Sequence, residues 1–94
     1  MRASELLTAL TLPSQGQELR QIQISVAGSL RPCSRVDYQA EQLILVADSS
    51  RPPLSMTKIV TLLMTHRRYQ LFYSDGKHTA AVYGFKEEKN NLIL

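Results

Sequence analysis

The chain has 94 residues, of which 44% are hydrophobic and 20% charged. That is enough for one domain with a modest core, and too apolar for intrinsic disorder. Its longest apolar run, Leu43-Ile44-Leu45-Val46-Ala47, is far below the roughly 18 residues a membrane span needs, and its single cysteine, Cys33, excludes an internal disulfide or a Cys-rich zinc site.

The formal net charge is only +3, but it is unevenly spread. No acid occurs from 49 to 74, where Arg51, Lys58, Arg67 and Arg68 fall, or from 19 to 36, where Arg20, Arg31 and Arg35 fall. The start, "MRASELLTAL", lacks the long apolar stretch and cleavage site of a signal peptide, so a cytoplasmic protein is expected.

In chain order, Ser4 is expected to cap a short helix over 4–10. Glu5 suits its positive end, and Leu6, Leu7 and Leu10 share one face. Pro13 and Gly16 end it. Ile22, Ile24 and Val26 alternate with Gln21, Gln23 and Ser25, which predicts a half-buried strand suited to a sheet edge. Residues 28–34 read as a loop. Val36 and Tyr38 open a second strand, and a turn near Ala40 and Glu41 returns the chain through 43–46 as a third. That third strand is apolar at consecutive positions, so it wants cover on both faces or a place inside a sheet.

The stretch "SSRPPL" (49–54) reads as a linker, because two prolines exclude helix. Ser55 is placed to cap a second helix in which Met56, Ile59, Val60 and Leu63 share a face. Lys58 lies on another face, and His66, Arg67 and Arg68 suit the negative end. A strand over 69–74 follows. Ser74-Asp75-Gly76-Lys77 predicts a type I′ hairpin turn. Residues 79–85 pair back across it, and Lys89-Asn90-Asn91 turns into a final strand.

"LIL" occurs twice, at 43–45 and 92–94, which points to an internal repeat. "SELLTAL" (4–10) lines up with "TKIVTLL" (57–63), "RQIQISV" (20–26) with "RRYQLFY" (67–73), and "DYQAEQLIL" (37–45) with "GFKEEKNNLIL" (84–94), at offsets of 53, 47 and 49. The expected fold class is therefore α+β. Two tandem αβββ units, 3–47 and 55–94, are joined by a linker over 48–54. They share one core in a single domain over 1–94, with an antiparallel sheet and two short helices.

Candidate chemistry is sparse. His66 and His78 are the only histidines and match no zinc spacing, so no metal and no other cofactor is expected. Cys33 between Arg31 and Arg35 is either a thiol activated by cations or an inert loop thiol. A Cys33 or serine nucleophile with His78 and Asp75 has the needed residue types, but no G-x-S-x-G or P-loop pattern supports it. Glu87 and Glu88 are adjacent, so strand geometry turns them to opposite faces. No catalytic residues are expected, and the protein is not expected to be an enzyme.

Binding has more support. "THRRYQLFY" (65–73) sets Arg67 and Arg68 before a strand carrying Tyr69, Phe72 and Tyr73, a combination able to hold phosphate and stack bases. Lys58, Arg67, Arg68, Phe72, Arg20, Arg31 and Arg35 make up the candidate surface for a partner or a nucleic acid. In the repeat alignment Tyr69, Leu71 and Tyr73 turn inward and Phe72 outward, which marks Phe72 as a contact. Spare sheet edges can accept a strand from a protein partner. The terminal "LIL" has no charged residue after it, so it is expected either to lie inside the sheet or to be covered by another chain, and on the latter ground a homodimer is an expected state.

The opening "ASELLTALTLPSQGQEL" with Ile22 and Ile24, then Val36-Asp37-Tyr38 and "EQLILV", resembles small phage- and prophage-encoded proteins of unassigned function. Many of these begin with a Ser-Glu-Leu-Leu-type helix and continue into a β-meander that ends in an apolar strand. The resemblance covers residues 3–47 more fully than the second half. It implies an accessory factor that binds a host or viral macromolecule, inhibitors of host defence among them, and it implies no catalytic residues. A protein partner is the favoured expectation and a nucleic acid the alternative.

Overall fold

The computed structural model describes residues 1–11, 21–26, 28–88 and 91–94, with Val26 described by its backbone alone. Helix α1 (Ala3–Thr11) begins one residue before the expected cap. The amides of Ala3 and Ser4 donate to the carbonyls of Tyr69 (2.9 Å) and Arg67 (3.0 Å). A neighbouring segment, not the Ser4 side chain, therefore satisfies the first amides of this helix. Leu6 and Leu7 are buried and Leu10 is half-buried, as the spacing predicts. The expected helix stop at Pro13 and Gly16 lies outside the described residues.

Strands β1 (Gln21–Val26), β2 (Ser29–Pro32), β3 (Arg35–Gln39) and β4 (Gln42–Val46) follow α1. Helix α2 (Met56–Thr65) comes next, capped by Ser55, whose side-chain oxygen accepts the Lys58 amide at 3.2 Å. Ile59 and Leu63 are buried and Met56 and Val60 half-buried, so the face read from the sequence is the one that packs. Strands β5 (Gln70–Ser74), β6 (Thr79–Ala81), β7 (Lys86–Glu88) and β8 (Asn91–Ile93) complete the order.

The described residues thus form an α+β domain of two helices and two four-stranded sheets, ordered β2-β1-β8-β7 and β3-β4-β5-β6. Three expectations are corrected. Among the described residues four strands, not three, follow each helix. The supposed loop over 28–34 contains β2, a strand whose first three residues are all exposed, so it carries no alternation to read. The supposed single strand over 79–85 is β6 followed by a crossover, and β7 lies beyond it in the other sheet.

The sheets are also mixed rather than antiparallel. β1 pairs with β8, and β4 with β5, in parallel at the centre of each sheet, flanked by antiparallel hairpins. The strands bearing "LIL" are interior, as their composition requires. β1 and β5 are interior too, against the expectation of edges for β1 and its counterpart, and β2, β7, β3 and β6 form the edges. β8 lies between β1 and β7, so the terminal strand is covered within the chain and gives no ground for a homodimer.

The ladders of the two sheets share one register. Gln23 opposes Pro32 and Phe72 opposes Ala81; Asp37 opposes Ile44 and Lys86 opposes Ile93; Gln21 opposes Asn91 and Gln70 opposes Gln42. In each case the positions are related by a shift of 49. The bond from the Cys33 amide to the Ile22 carbonyl recurs 49 residues on, from Val82 to Leu71. At this shift Ile22, not Ile24, stands at the position of Leu71, two residues away from the sequence alignment of β1 with β5 at 47. The shared Arg-x-x-Gln spacing misled it, because a shift of two residues leaves the polar and apolar alternation intact.

One cluster of buried side chains draws on both helices and both sheets, including Leu6 and Leu7 of α1, Ile22 and Ile24 of β1, Leu43 and Leu45 of β4, Ile59 and Leu63 of α2, Leu71 of β5 and Leu92 of β8. Two tight turns need glycine. Gly28 (φ +83°) lies between β1 and β2, and Gly76 (φ +96°) between β5 and β6. A type I′ turn requires positive φ at both central residues. Of the two central residues of Ser74–Lys77 only Gly76 has it, so the expected I′ turn is corrected.

Candidate functional site

The candidate residues do not form one surface. Lys58 is exposed on α2, and Arg67 and Arg68 are exposed in the turn that follows it. Phe72 is half-buried in the middle of its sheet, opposite Ile44 on one side and Ala81 on the other. It lies with Ile44 on the sheet face away from the core cluster, the outward side that the repeat alignment suggested, but it is half-buried there rather than fully exposed. Tyr69 and Tyr73 pack against the core. Arg20 lies outside the described residues.

What the structure sets beside Arg67 and Arg68 is a group of rings from β3 and from the turn after α2. The ring of His66 lies 4.9 Å from that of Tyr38 and 4.8 Å from that of Tyr69, the latter edge-on. The Nδ1 atom of His66 is 2.9 Å from the Leu62 carbonyl and 2.8 Å from the Thr65 hydroxyl. These contacts fix the ring at the end of α2. Tyr38 is 51% exposed, so one side of the group meets solvent. The backbone of Arg2 bridges that of Gln70, the residue after Tyr69. Sequence reading missed both Tyr38 and Arg2. The pairing of β3, β4 and β5 brings Tyr38 there, and the docking of α1 on the 66–69 turn brings Arg2.

Arg35 serves a different purpose from the other candidates. Its Nε lies 3.2 Å from Asp37 Oδ1, and its Nη1 lies 2.6 Å from Asp48 Oδ2. Asp48 Oδ1 accepts the Ser50 hydroxyl at 2.6 Å and the Ser50 amide at 3.0 Å. The Ser50 donors first, and Arg35 after them, hold the Asp48 carboxyl below the usual carboxylate range. Arg35 is thereby committed to two acids inside the fold. Arg31 is not: it is exposed on β2, and among the described residues its guanidinium joins no ion pair.

Cys33 is buried between β2 and β3 and belongs to the core cluster. Burial pushes its thiol up to about 11, opposed only in part by hydrogen bonds to the backbone of Arg35 and Val46. The option of a cation-activated thiol is therefore overturned, because desolvation outweighs the arginines that flank it in sequence. Asp75 is occupied as well. Its Oδ1 accepts the Lys77 and His78 amides, both at 2.8 Å, and these bonds lower its pKa. Among the described residues no group of three or more His, Cys, Asp or Glu side chains is placed to hold a metal ion, and no helix is long and apolar enough to cross a membrane.

A further exposed feature lies on the β6–β7 crossover, at Tyr83-Gly84-Phe85. Tyr83 is 91% exposed and Phe85 40%. The residues matched to it by the 49-residue shift are Ser34, on the β2–β3 crossover, and Arg35 and Val36, which open β3; this crossover is closed, since Ser34 is buried and its amide donates to Val46 at 2.9 Å. The Leu54 amide adds a bond to the Cys33 carbonyl at 3.0 Å. Sequence reading did not single out Tyr83, since an aromatic in an apparent strand reads as core. No family model, curated protein or solved structure matches the chain.

Proposed function

We propose that the protein acts by binding and not by catalysis, as a small cytoplasmic accessory factor of the phage or mobile-element type that engages a protein partner. Inhibition of a host defence is the form of action its sequence resemblance suggests. The observation that carries the reading is the presentation of Tyr83 and Phe85 on a crossover whose matched counterpart is closed. Exposed aromatics supply large apolar area with few torsions to freeze, the character of interface hot spots.

The test is a Tyr83→Ser, Phe85→Ser double variant. Its fold is expected to stay within about 0.5 kcal/mol of the parent, while capture of a partner from the native host is lost. Capture that is equal for parent and variant removes this surface from the proposal.

The second reading is a nucleic-acid-binding protein. It is supported by the contact of Tyr38 with His66, next to Arg67 and Arg68. Affinity for an oligonucleotide is then expected to fall steeply with salt and to be lost in Arg67→Glu, Arg68→Glu. Failure to bind DNA or RNA at about 50 mM salt ends that reading.

We also read the chain as a tandem duplication of an αββββ unit. The shift of 49 common to all ladders supports it, as does the shift of 53 that sets Leu6, Leu7 and Leu10 on Ile59, Val60 and Leu63. The difference between the two shifts matches a shorter connection after α2 than after α1.

A further inference from the structure

A cleft of about 430 Å³ lies where β2 meets the segment that leaves β4, lined by Arg31, Pro32, Ala47, Asp48, Ser49 and Arg51. We propose that this cleft binds a small phosphate-bearing ligand, a phosphate monoester whose phosphoryl group is held by Arg31 and Arg51. The proposal does not rest on the protein-partner reading.

Three observations carry it. First, the one acid among the described lining residues is already engaged. Asp48 takes Arg35 at 2.6 Å on one oxygen and two Ser50 donors on the other, while Arg51 stands off at 3.9 Å with its side chain 61% exposed. Arg31 is in no ion pair among the described residues. Three arginines against Asp37 and Asp48 leave the locality with one net positive charge, and Arg31 and Arg51 are the two of them that line the cleft.

Second, the β2 ladder does not need Arg31. The position matched to it by the shift of 49 is Ala80, and that half builds the same ladder without a guanidinium.

Third, the shape suits a small molecule. The volume is in the range of small-ligand clefts. A guanidinium fork matches the oxygens of a phosphoryl dianion, and a second one adds a further charge-assisted contact. Pro32 and Ala47 offer an apolar wall for the ester group, and the Ser49 side chain adds a hydroxyl in the lining.

The experiment is a titration of the full chain with inorganic phosphate, phenyl phosphate and benzoate, followed by backbone amide NMR at about 50 mM salt. The expected result is saturable movement of the Arg31, Ala47, Ser49 and Arg51 amides with both phosphates, tighter for phenyl phosphate. Arg31→Ala and Arg51→Ala should each weaken it about tenfold with unchanged melting, as for loss of a charge-assisted hydrogen bond. Arg67→Ala should change nothing. No saturable movement at about 10 mM ligand overturns the proposal, as does equal movement in an Arg31→Ala, Arg51→Ala double variant. Benzoate binding as tightly as phenyl phosphate overturns the phosphate assignment. Movement of these amides with an oligonucleotide alone, and with neither small phosphate, overturns the small-ligand class.

Discussion

Arg35 Nη1 lies 2.6 Å from Asp48 Oδ2, and this contact ties the start of β3 to the chain just beyond β4, the strand antiparallel to it. Ser34 completes the clasp. Its hydroxyl donates to the Asp48 carbonyl at 2.9 Å and accepts the Asp48 amide at 2.7 Å. The crossover from one sheet to the other is thereby bolted to the segment that leads on toward α2.

The Asp48 carboxyl is held below its ordinary range, so the clasp stabilises the fold at neutral pH and loses that contribution as pH falls below the unfolded value of about 3.9 and through the folded one. Asp48→Asn is expected to lower the melting temperature at pH 7 and to reduce its fall between pH 5 and about 2. Asp75, also lowered, keeps its own contribution in the variant. Melting curves of parent and variant that run parallel across this range would contradict the assignment.

Cys33 behaves in the opposite sense. Its thiol is raised to about 11, so burial is harmless below about pH 9 and costs stability above it, reaching about 2–3 kcal/mol once the folded value is passed. Cys33→Val copies the matched Val82 and is expected to change neutral-pH stability by less than about 1.5 kcal/mol. It should also remove the alkaline loss. Alkylation of native Cys33 at pH 7 as fast as in urea would show the thiol to be open.

Leu92 is fully buried in the interior strand β8. Leu92→Ala is expected to cost about 2–5 kcal/mol in denaturant unfolding, as is Leu43→Ala in β4. Deleting residues 92–94 removes the strand that joins β1 to β7 and is expected to abolish cooperative melting. A truncated chain that melts like the parent would refute the interior placement.

Gly76 stands at φ +96° in open space, with nothing within 4 Å of the position an added Cβ would take. Gly76→Ala therefore tests the backbone alone. A loss of about 1–2 kcal/mol is expected, the cost of a positive φ for an L-residue. Equal stability would mean that the turn relaxes to another type.

Helix α2 and strand β2 stand at opposite ends of what was legible. The apolar faces of both helices, the Ser55 cap and the interior position of "LIL" were readable, since each is a local pattern of period or cap chemistry. β2 was not, because a short edge strand with an exposed start carries no pattern. The parallel pairing of β4 with β5 was not either, because the α2 crossover between them is read as a helix long before its two strands can be read as neighbours. The candidate arginines were legible as residues, but their company was not. Arg35 meets two acids, Arg31 lines a cleft, and Arg67 and Arg68 follow a histidine whose ring touches Tyr38.

By itself the sequence determined the α+β class, the two amphipathic helices, the core strands and the absence of a disulfide framework, all of which follow from composition and from side chains within a few residues of one another. Only the tertiary structure decided that each sheet takes one hairpin from each half, that Cys33 is inert, and that Tyr83 is presented while Ser34 is buried. Those outcomes depend on contacts between residues far apart in the chain. Desolvation and register are set there by what packs alongside, and no local spacing encodes them.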